Sequence, residues 1–180
     1  MKKNIITVSL FAALAMSFTA CVNEEDDLFD QSAAERLNQS KVTYTERFAS
    51  SEAGWIMEYY PTNYDHAPQG LGYLLLADFN NDGSVKMAMN NRFSGNTYLE
   101  DTSLWEIISD TGPVLSFNTF NKCIHAFATP EDISFTGGDL EDETGLGCEG
   151  DYEFIILNME ADCDTAMIKG KKRATYNRLT

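Results

Sequence analysis

Leu71-Gly-Tyr-Leu-Leu-Leu-Ala-Asp-Phe-Asn-Asn-Asp-Gly-Ser-Val-Lys-Met-Ala-Met89 is the stretch that decides the predicted fold. Its first half is mainly apolar, and residues 84–89 alternate between apolar and polar side chains, which is typical of a half-buried strand. Asn81-Asp82-Gly83 lies between the two halves, and these residue types tolerate the positive φ angles of a tight turn. The stretch therefore predicts a β-hairpin with strands at 71–79 and 84–90.

The turn of this hairpin also resembles the start of a calcium-binding loop. Asp78, Asn80 and Asp82 occupy positions 1, 3 and 5 of such a loop, and Gly83 occupies position 6. Position 12 is Met89, where a bidentate glutamate is required, and the flanking segments predict strands instead of helices. Turn chemistry explains these residues without a metal, so we predict no metal site here.

The sequence on either side of the hairpin predicts one helix and further strands. Ser32-Ala-Ala-Glu35 is a capping-box pattern that begins a helix of residues 32–50, and Gly54 is placed to end it. The apolar face of this helix is expected to pack on the hairpin. Further strands are predicted at 55–60, 104–109, 113–117, 151–157 and 165–168, with residues 174–180 as the continuation of the last strand, while residues 118–127 are ambiguous between coil and a short helix.

These elements predict a mainly β (α+β) domain over residues 32–180. No helix-length segment separates consecutive strands, which favours antiparallel pairing. The expected architecture is an antiparallel meander sheet or a partial barrel with one packed N-terminal helix.

The first twenty residues have the pattern of a signal peptide. Lys2 and Lys3 precede an apolar segment that is too short to span a bilayer. Ser17-Phe-Thr-Ala-Cys21 resembles the lipobox of bacterial lipoproteins, which implies that Cys21 becomes the mature N-terminus and carries the lipid. Cleavage of an ordinary signal peptide at a nearby small residue is the alternative.

Residues 21–31 are predicted to be a lipidated acidic tether. The run Val22-Asn-Glu-Glu-Asp-Asp27 resembles the surface-export signal of Bacteroidota lipoproteins, although acidic runs also serve as plain solvated tethers. The expected location is the outer membrane, at the cell surface. Removal of residues 1–20 takes away two lysines and no acid, so the net charge of −15 becomes −17. Such a charge argues against nucleic acid as a partner, because phosphates are bound by Lys and Arg.

Three cysteines remain in the mature chain: Cys123, Cys148 and Cys163. They show no metal-ligand spacing. Cys148 and Cys163 flank a predicted strand and would lie at opposite ends of a hairpin, too far apart for a disulfide. A bond from Cys123 to one of the other two and three buried thiols are both compatible with the sequence.

Few residues point to chemistry. His66 and His125 are the only histidines, and Cys123-x-His125 could be a fragment of a zinc site or a Cys/His pair. Two ligands do not make a zinc site, so we expect His125 to be packed and hydrogen-bonded. The acidic loop around residues 139–151 offers calcium-type ligands, yet most such loops are simply solvated; they are Asp139, Glu141, Asp142, Glu143 and Asp151.

Aromatic residues could alternatively form a platform for sugar stacking. The candidates are Trp55, Tyr59, Tyr60, Tyr64, Tyr73 and Trp105. Alternating aromatics on strands are more often core, and we predict that role. We predict no catalytic, cofactor-binding or metal-binding residue, and Cys21 is the only assigned site.

Several segments together resemble a family of Bacteroidota lipoproteins of uncharacterised function. They are Asp27-Leu-Phe-Asp30, Ser32-Ala-Ala-Glu-Arg-Leu37, Gly54-Trp55, Tyr59-Tyr-Pro61, Trp105-Glu-Ile-Ile-Ser109, Gly112-Pro-Val-Leu-Ser-Phe117, Asn121, His125 and Ile168-Lys-Gly-Lys-Lys-Arg173. Members are usually longer, so the resemblance implies that this chain holds the N-terminal part. They are often found beside TonB-dependent transporters.

From this resemblance we expect a non-catalytic surface lipoprotein that binds a ligand or partner, with a role in nutrient uptake and an outer-membrane transporter complex as a partner. The alternatives are a hydrolase that acts on glycan or peptide and a truncated, inactive remnant.

Overall fold

The computed structural model describes residues 30–61, 72–110, 112–129, 149–160, 162 and 164–180. Within them, residues 33–180 contain one α-helix, α1 (Ala33–Ala49), and nine strands. The strands are β1 (Trp55–Tyr59), β2 (Tyr73–Phe79), β3 (Ser84–Met89), β4 (Leu99–Leu104), β5 (Glu106–Ser109), β6 (Pro113–Ser116), β7 (Glu153–Met159), β8 (Ala166–Gly170) and β9 (Tyr176–Leu179). Short 3₁₀ helices cover Arg92–Ser94 and His125–Phe127.

All of these strands lie in one antiparallel sheet with the order β4-β3-β2-β1-β9-β8-β7-β6-β5. Every pairing joins strands that are consecutive in the sequence, except the pairing of β1 with β9. The edge strands β4 and β5 are separated only by Trp105, so one chain segment connects the two edges of the sheet. The sheet is therefore nearly closed, and the prediction of a mainly β fold, an antiparallel meander or partial barrel with one helix, is confirmed.

The segment from 99 to 109 differs from the sequence prediction. It was expected to form one strand at 104–109, but it forms β4 and β5 with a break at Trp105, whose N–H donates to the Gly83 carbonyl (2.9 Å). β4 pairs with β3 along its whole length. Its sequence, Leu-Glu-Asp-Thr-Ser-Leu, does not alternate between apolar and polar residues, so periodicity could not reveal the strand. Ser103 is the only buried residue of β4.

The interior of the sheet is filled by side chains. The inward-facing positions of β1 and β2 alternate with exposed ones, as a half-buried strand requires. Side chains that are fully buried include Met57, Leu75, Met87, Leu115, Phe154 and Ile168. Each contributes about 1.5–3 kcal/mol when its apolar surface leaves water. Because this core is packed, the surfaces that remain for a ligand lie outside it.

The helix covers one end of the core through its last turns. Phe48 is fully buried and Tyr44 is partly buried, whereas Ala34 is exposed. α1 contacts β5 chiefly, and β2 and β6 less, so the expectation that it packs mainly on the β2–β3 hairpin is wrong. The prediction that Gly54 ends the helix is also wrong: α1 ends at Ala49, and Gly54 (φ +73°) lies in the turn that leads into β1.

A methyl group at Gly54 would lie 3.0 Å from the Ala77 carbonyl oxygen, which is a second reason for glycine there. Among the described residues, no helix combines the length and the apolar character that a membrane crossing requires.

Candidate binding cleft

The connection that follows β6 is fastened to the edge of the sheet by a buried asparagine. Asn121 is fully buried; its Nδ2 donates to the Asp101 carbonyl (3.2 Å) and to Ser103 Oγ (3.1 Å), and its Oδ1 accepts from the Cys123 N–H (2.9 Å). The Lys122 N–H donates to Asp101 Oδ2 (2.9 Å). The bond to the Asp101 carbonyl occupies one backbone group of the edge strand β4, and the bonds together hold residues 121–123 against that strand.

A cleft of about 540 Å³ lies between this connection and strands β6 and β7. The side chains that line it combine aromatic rings with hydroxyl, amide and carboxylate groups: Ser116, Phe117, Asn118, Thr119, Phe120, His125, Ala128, Thr129, Tyr152 and Glu153. The volume falls in the range of about 300–1,000 Å³ that is usual for small-molecule sites.

Three rings are stacked in this cleft. His125 is stacked on Tyr152, with ring centroids 4.7 Å apart and an angle of 26° between the planes, and Phe120 lies 5.4 Å from His125 at 38°. Phe120 is 62% exposed and Tyr152 is 44% exposed. The half-buried imidazole thus holds two largely solvent-exposed aromatic side chains in a fixed arrangement.

The imidazole of His125 is neutral at ordinary pH. Its Nδ1 accepts a hydrogen bond from the Asn121 N–H (3.1 Å), which places the ring proton on Nε2. Burial lowers the pKa of His125 below its usual value. The prediction that His125 is packed and hydrogen-bonded is confirmed.

The charged groups at the cleft are mainly carboxylates. Glu153 accepts from Ser116 Oγ (3.4 Å) and pairs with Lys171 (3.2 Å), and Lys171 also pairs with Asp110 (3.0 Å). Glu106 accepts from Asn118 Nδ2 (2.9 Å). Of the described residues that line the cleft, one is a glutamate and none is a lysine or an arginine.

Cys123 does not act with His125, although the two are close in sequence. Cys123 is a free, fully buried thiol whose Sγ donates to the Met87 carbonyl of β3 (3.4 Å). Burial, together with the nearby Asp101 and Glu100 carboxylates, raises its pKa to about 11. The thiol therefore stays protonated at neutral pH, which is the opposite of what a nucleophile needs.

We expect native Cys123 to react with iodoacetamide about a hundredfold more slowly at pH 8 than the same residue in urea. A pKa of about 11 in place of 9.0 reduces the thiolate fraction by two orders of magnitude, and burial slows access further. Mass spectrometry that resolves the modified residue separates Cys123 from Cys148 and Cys163. Equal rates in buffer and in urea would contradict both the burial of the thiol and its raised pKa.

The residues of the apparent calcium loop take part in the turn between β2 and β3. Asp82 Oδ1 accepts from the Ser84 N–H (2.9 Å) and from Ser84 Oγ (2.6 Å), and these bonds lower the pKa of Asp82. The Asn80 N–H donates to the Ser84 carbonyl (2.9 Å), and Asp78 faces Lys86 in the register of the two strands. In the part of the chain that the structure describes, no group of three or more His, Cys, Asp or Glu residues could hold a metal ion.

Of the acidic loop, only its end is described. Asp151 Oδ1 and Oδ2 accept from the N–H groups of Lys172 and Arg173, each at 2.8 Å, and Glu149 pairs with the Arg173 guanidinium. Asp151 is therefore a structural acceptor for the turn after β8. Other predicted candidates lie outside the described residues: Cys21, Tyr64, His66, Asp139, Glu141, Asp142, Glu143, Cys148 and Cys163.

Four of the six aromatic candidates belong to the core or pack against it, as predicted, whereas Tyr60 is only partly buried and Tyr64 lies outside the described residues. Trp55, Tyr59 and Trp105 are at most 3% exposed, and Tyr73 packs against Phe93 and Phe127. Sequence reasoning missed Phe120 and Tyr152, the aromatics that are exposed in the cleft. Each stands in a short polar segment, Asn118-Thr-Phe-Asn-Lys122 and Asp151-Tyr-Glu153, and an isolated aromatic among polar residues was the available signal.

The comparison with protein families gives one match. A family described as "Domain of unknown function (DUF4302)" matches residues 25–180. No curated protein and no solved structure matches the chain.

Proposed function

Because the chain belongs to the DUF4302 family, whose description assigns no activity, we propose a function from its own residues. The protein is a non-catalytic binding protein that a lipid on Cys21 holds at the outer membrane, on the cell surface. Its cleft binds a ligand, and the protein works in nutrient uptake beside a TonB-dependent transporter.

The observation that carries this proposal is the exposed aromatic pair of the cleft. Phe120 and Tyr152 are 62% and 44% exposed and line the same cleft, whereas Tyr98 and Tyr176, the other exposed aromatic residues among those described, do not line it. Concave sites with aromatic walls and a few polar groups are the usual form of a ligand site. Binding would remove this apolar surface from water, which favours association by about 25 cal/mol per Å².

The location is supported by the N-terminal sequence. The resemblance of residues 17–21 to a lipobox makes Cys21 the lipid-bearing residue, and each methylene buried in the membrane contributes about 0.8 kcal/mol. The acidic run of residues 24–27 agrees with export to the surface. The proposal also includes that the members of this family are Bacteroidota lipoproteins found near uptake systems.

The hydrolase alternative is not favoured by any specific contact among the described residues. Its most suggestive pair was Cys123 and His125, and the protonated thiol of Cys123 bonds to the backbone of β3.

Affinity capture from detergent-solubilised outer membranes of a Bacteroidota host tests the proposed function. We expect wild-type protein to bring down a TonB-dependent transporter, and we expect Cys21→Ala protein to be lost from the membrane fraction and to recover none. Labelled palmitate should enter the wild type only. Tyr176→Ala, which changes an exposed aromatic residue of β9 that does not line the cleft, serves as the control.

Palmitate incorporation that survives the Cys21→Ala change would overturn the anchoring site. Recovery of no transporter with the wild type would overturn the role in an uptake assembly.

A further inference from the structure

The cleft between the β6–β7 strands and residues 118–129 has features that define its ligand more narrowly. Resting on the proposed binding function, we infer that it takes a neutral oligosaccharide, with a sugar ring stacked against Phe120 or Tyr152. The inference depends on three properties of the cleft: its aromatic surface, its charge and its hydrogen-bonding groups.

The aromatic surface of the cleft is already in position before a ligand binds. The imidazole of His125 makes an angle of 38° with the ring of Phe120 and 26° with that of Tyr152, and both outer rings keep exposed surface. His125 is fixed in turn by the Asn121 N–H. A sugar ring has an apolar face of C–H groups and a hydroxylated edge, and it loses little by covering an aromatic face that is already in place.

The charge of the cleft excludes anionic ligands. The lining has no lysine or arginine among the described residues, and the imidazole of His125 is neutral. Glu153 faces the site, and Glu106 bonds to Asn118 at its rim. The nearest cation, Lys171, is already shared between Glu153 and Asp110, so a phosphate, a nucleotide or a uronic acid would find no free cation in the lining, and the chain as a whole carries a net charge of −15.

The hydrogen-bonding groups exclude a purely apolar ligand. Six of the ten lining residues carry a hydroxyl, amide or carboxylate group: Ser116, Asn118, Thr119, Thr129, Tyr152 and Glu153. Ser116, Asn118, Thr119 and Thr129 each make one hydrogen bond within the protein, and an alkyl chain or a lipid would remove water from their remaining donor and acceptor positions, at a cost for each position left unpaired. The hydroxyl groups of a sugar both donate and accept, so they replace that water while the ring faces supply the apolar contact.

Titration of the protein with neutral hexasaccharides tests the inference. The probes are maltohexaose, cellohexaose, xylohexaose and mannohexaose, with hexagalacturonate as the anionic comparison and N-acetyl-tryptophanamide as a neutral aromatic compound that is not a sugar. Calorimetry gives the affinity, and NMR of the imidazole groups gives the place of binding. Only two histidines are present, so a His66→Gln variant assigns the His125 signal.

We expect at least one neutral hexasaccharide to bind and to shift the His125 signal, and hexagalacturonate to do neither. Phe120→Ala and Tyr152→Ala should each weaken binding about tenfold or more, which equals about 1.4 kcal/mol. Tyr176→Ala, which removes a ring of similar exposure on β9, should leave the affinity unchanged. Phe120 and Tyr152 are too exposed for these changes to unfold the protein, and circular dichroism checks this.

Three results would overturn the inference. They are no binding of any neutral hexasaccharide at millimolar concentration, binding that leaves the His125 signal in place, and binding of N-acetyl-tryptophanamide alone. Each of these is distinct from failure of the proposed function, because the capture of a transporter is measured without any sugar. A captured transporter with no sugar binding would leave the proposed function standing and discard only the ligand class.

Discussion

Phe48→Ala should lower the free energy of unfolding by about 3–5 kcal/mol, the usual cost of truncating a buried phenylalanine. Phe48 is fully buried, and its ring lies 5.5 Å from that of Trp55, 5.1 Å from Phe79 and 6.1 Å from Trp105. The cavity would open where α1 meets β1, β2 and the Trp105 break. The backbone carbonyl of residue 48, which accepts from Trp55 Nε1 (2.9 Å), remains in this variant.

Urea unfolding followed by tryptophan fluorescence measures this loss. The protein has two tryptophans, Trp55 and Trp105, and both contact Phe48, so the signal reports on the same cluster. Val42→Ala, on the exposed face of the same helix, is the control and should change stability by about 0.5 kcal/mol or less. Phe48→Leu should fall between the two. A loss under about 1 kcal/mol for Phe48→Ala would contradict the packing of α1 on the core.

Asp151→Ala should cost at least about 3 kcal/mol, because it removes two hydrogen bonds to a charged acceptor at about 1.5–3 kcal/mol each. The Asp151 side chain is only 4% exposed and accepts from the N–H groups of Lys172 and Arg173. Without the carboxylate, both N–H groups of the turn after β8 would lose their acceptor. Glu160→Ala, at an exposed position close to the end of β7, is the control and should have a small effect.

Gly170 allows a sharper test of the same contact. A methyl group added there would lie 2.8 Å from Asp151 Cγ, well inside van der Waals contact. Gly170→Ala should therefore be destabilising in the wild type and much less so in the Asp151→Ala background, where the clash is relieved. Additive losses in this double-mutant cycle would contradict the contact.

The pH dependence of the Asp151 effect has a definite sign. Burial raises the pKa of Asp151 above its usual value, and the N–H groups of Arg173 and Lys172 oppose this only in part. The carboxyl group of Asp151 therefore keeps its proton to a higher pH in the folded protein than in the unfolded chain. The stability linked to this proton is present below the unfolded-state pKa and is lost as the pH rises through the folded-state pKa.

The difference in unfolding free energy between wild type and Asp151→Ala should accordingly become smaller as the pH rises through this window. Urea unfolding at a series of pH values from acid to neutral measures it. A difference that grows with pH would show that the folded-state pKa is depressed instead.

How far the sequence could predict the site is clear from the two rings that form it. Phe120 and Tyr152 are 32 positions apart, and neither belongs to an alternating pattern, so no local signal connected them. His125 was a candidate site residue because an imidazole can bind metal or act with a thiol. Its role in the structure is to hold both rings, and this role depends on contacts that exist only after β6 and β7 pair. The same applies to Asp151, whose partners are 21 and 22 positions away.

The sequence by itself determined the helix, the β2–β3 hairpin with its Asp82 turn, the aromatic core and the antiparallel class of the sheet. Those features depend on side-chain periodicity and turn chemistry, which act between residues close in the chain. Tertiary structure alone decided the strand β4, the break at Trp105, the pairing of β9 with β1 and the cleft. A polar edge strand forms because its neighbour offers unpaired backbone groups, and distant segments meet because the nearly closed sheet brings them together.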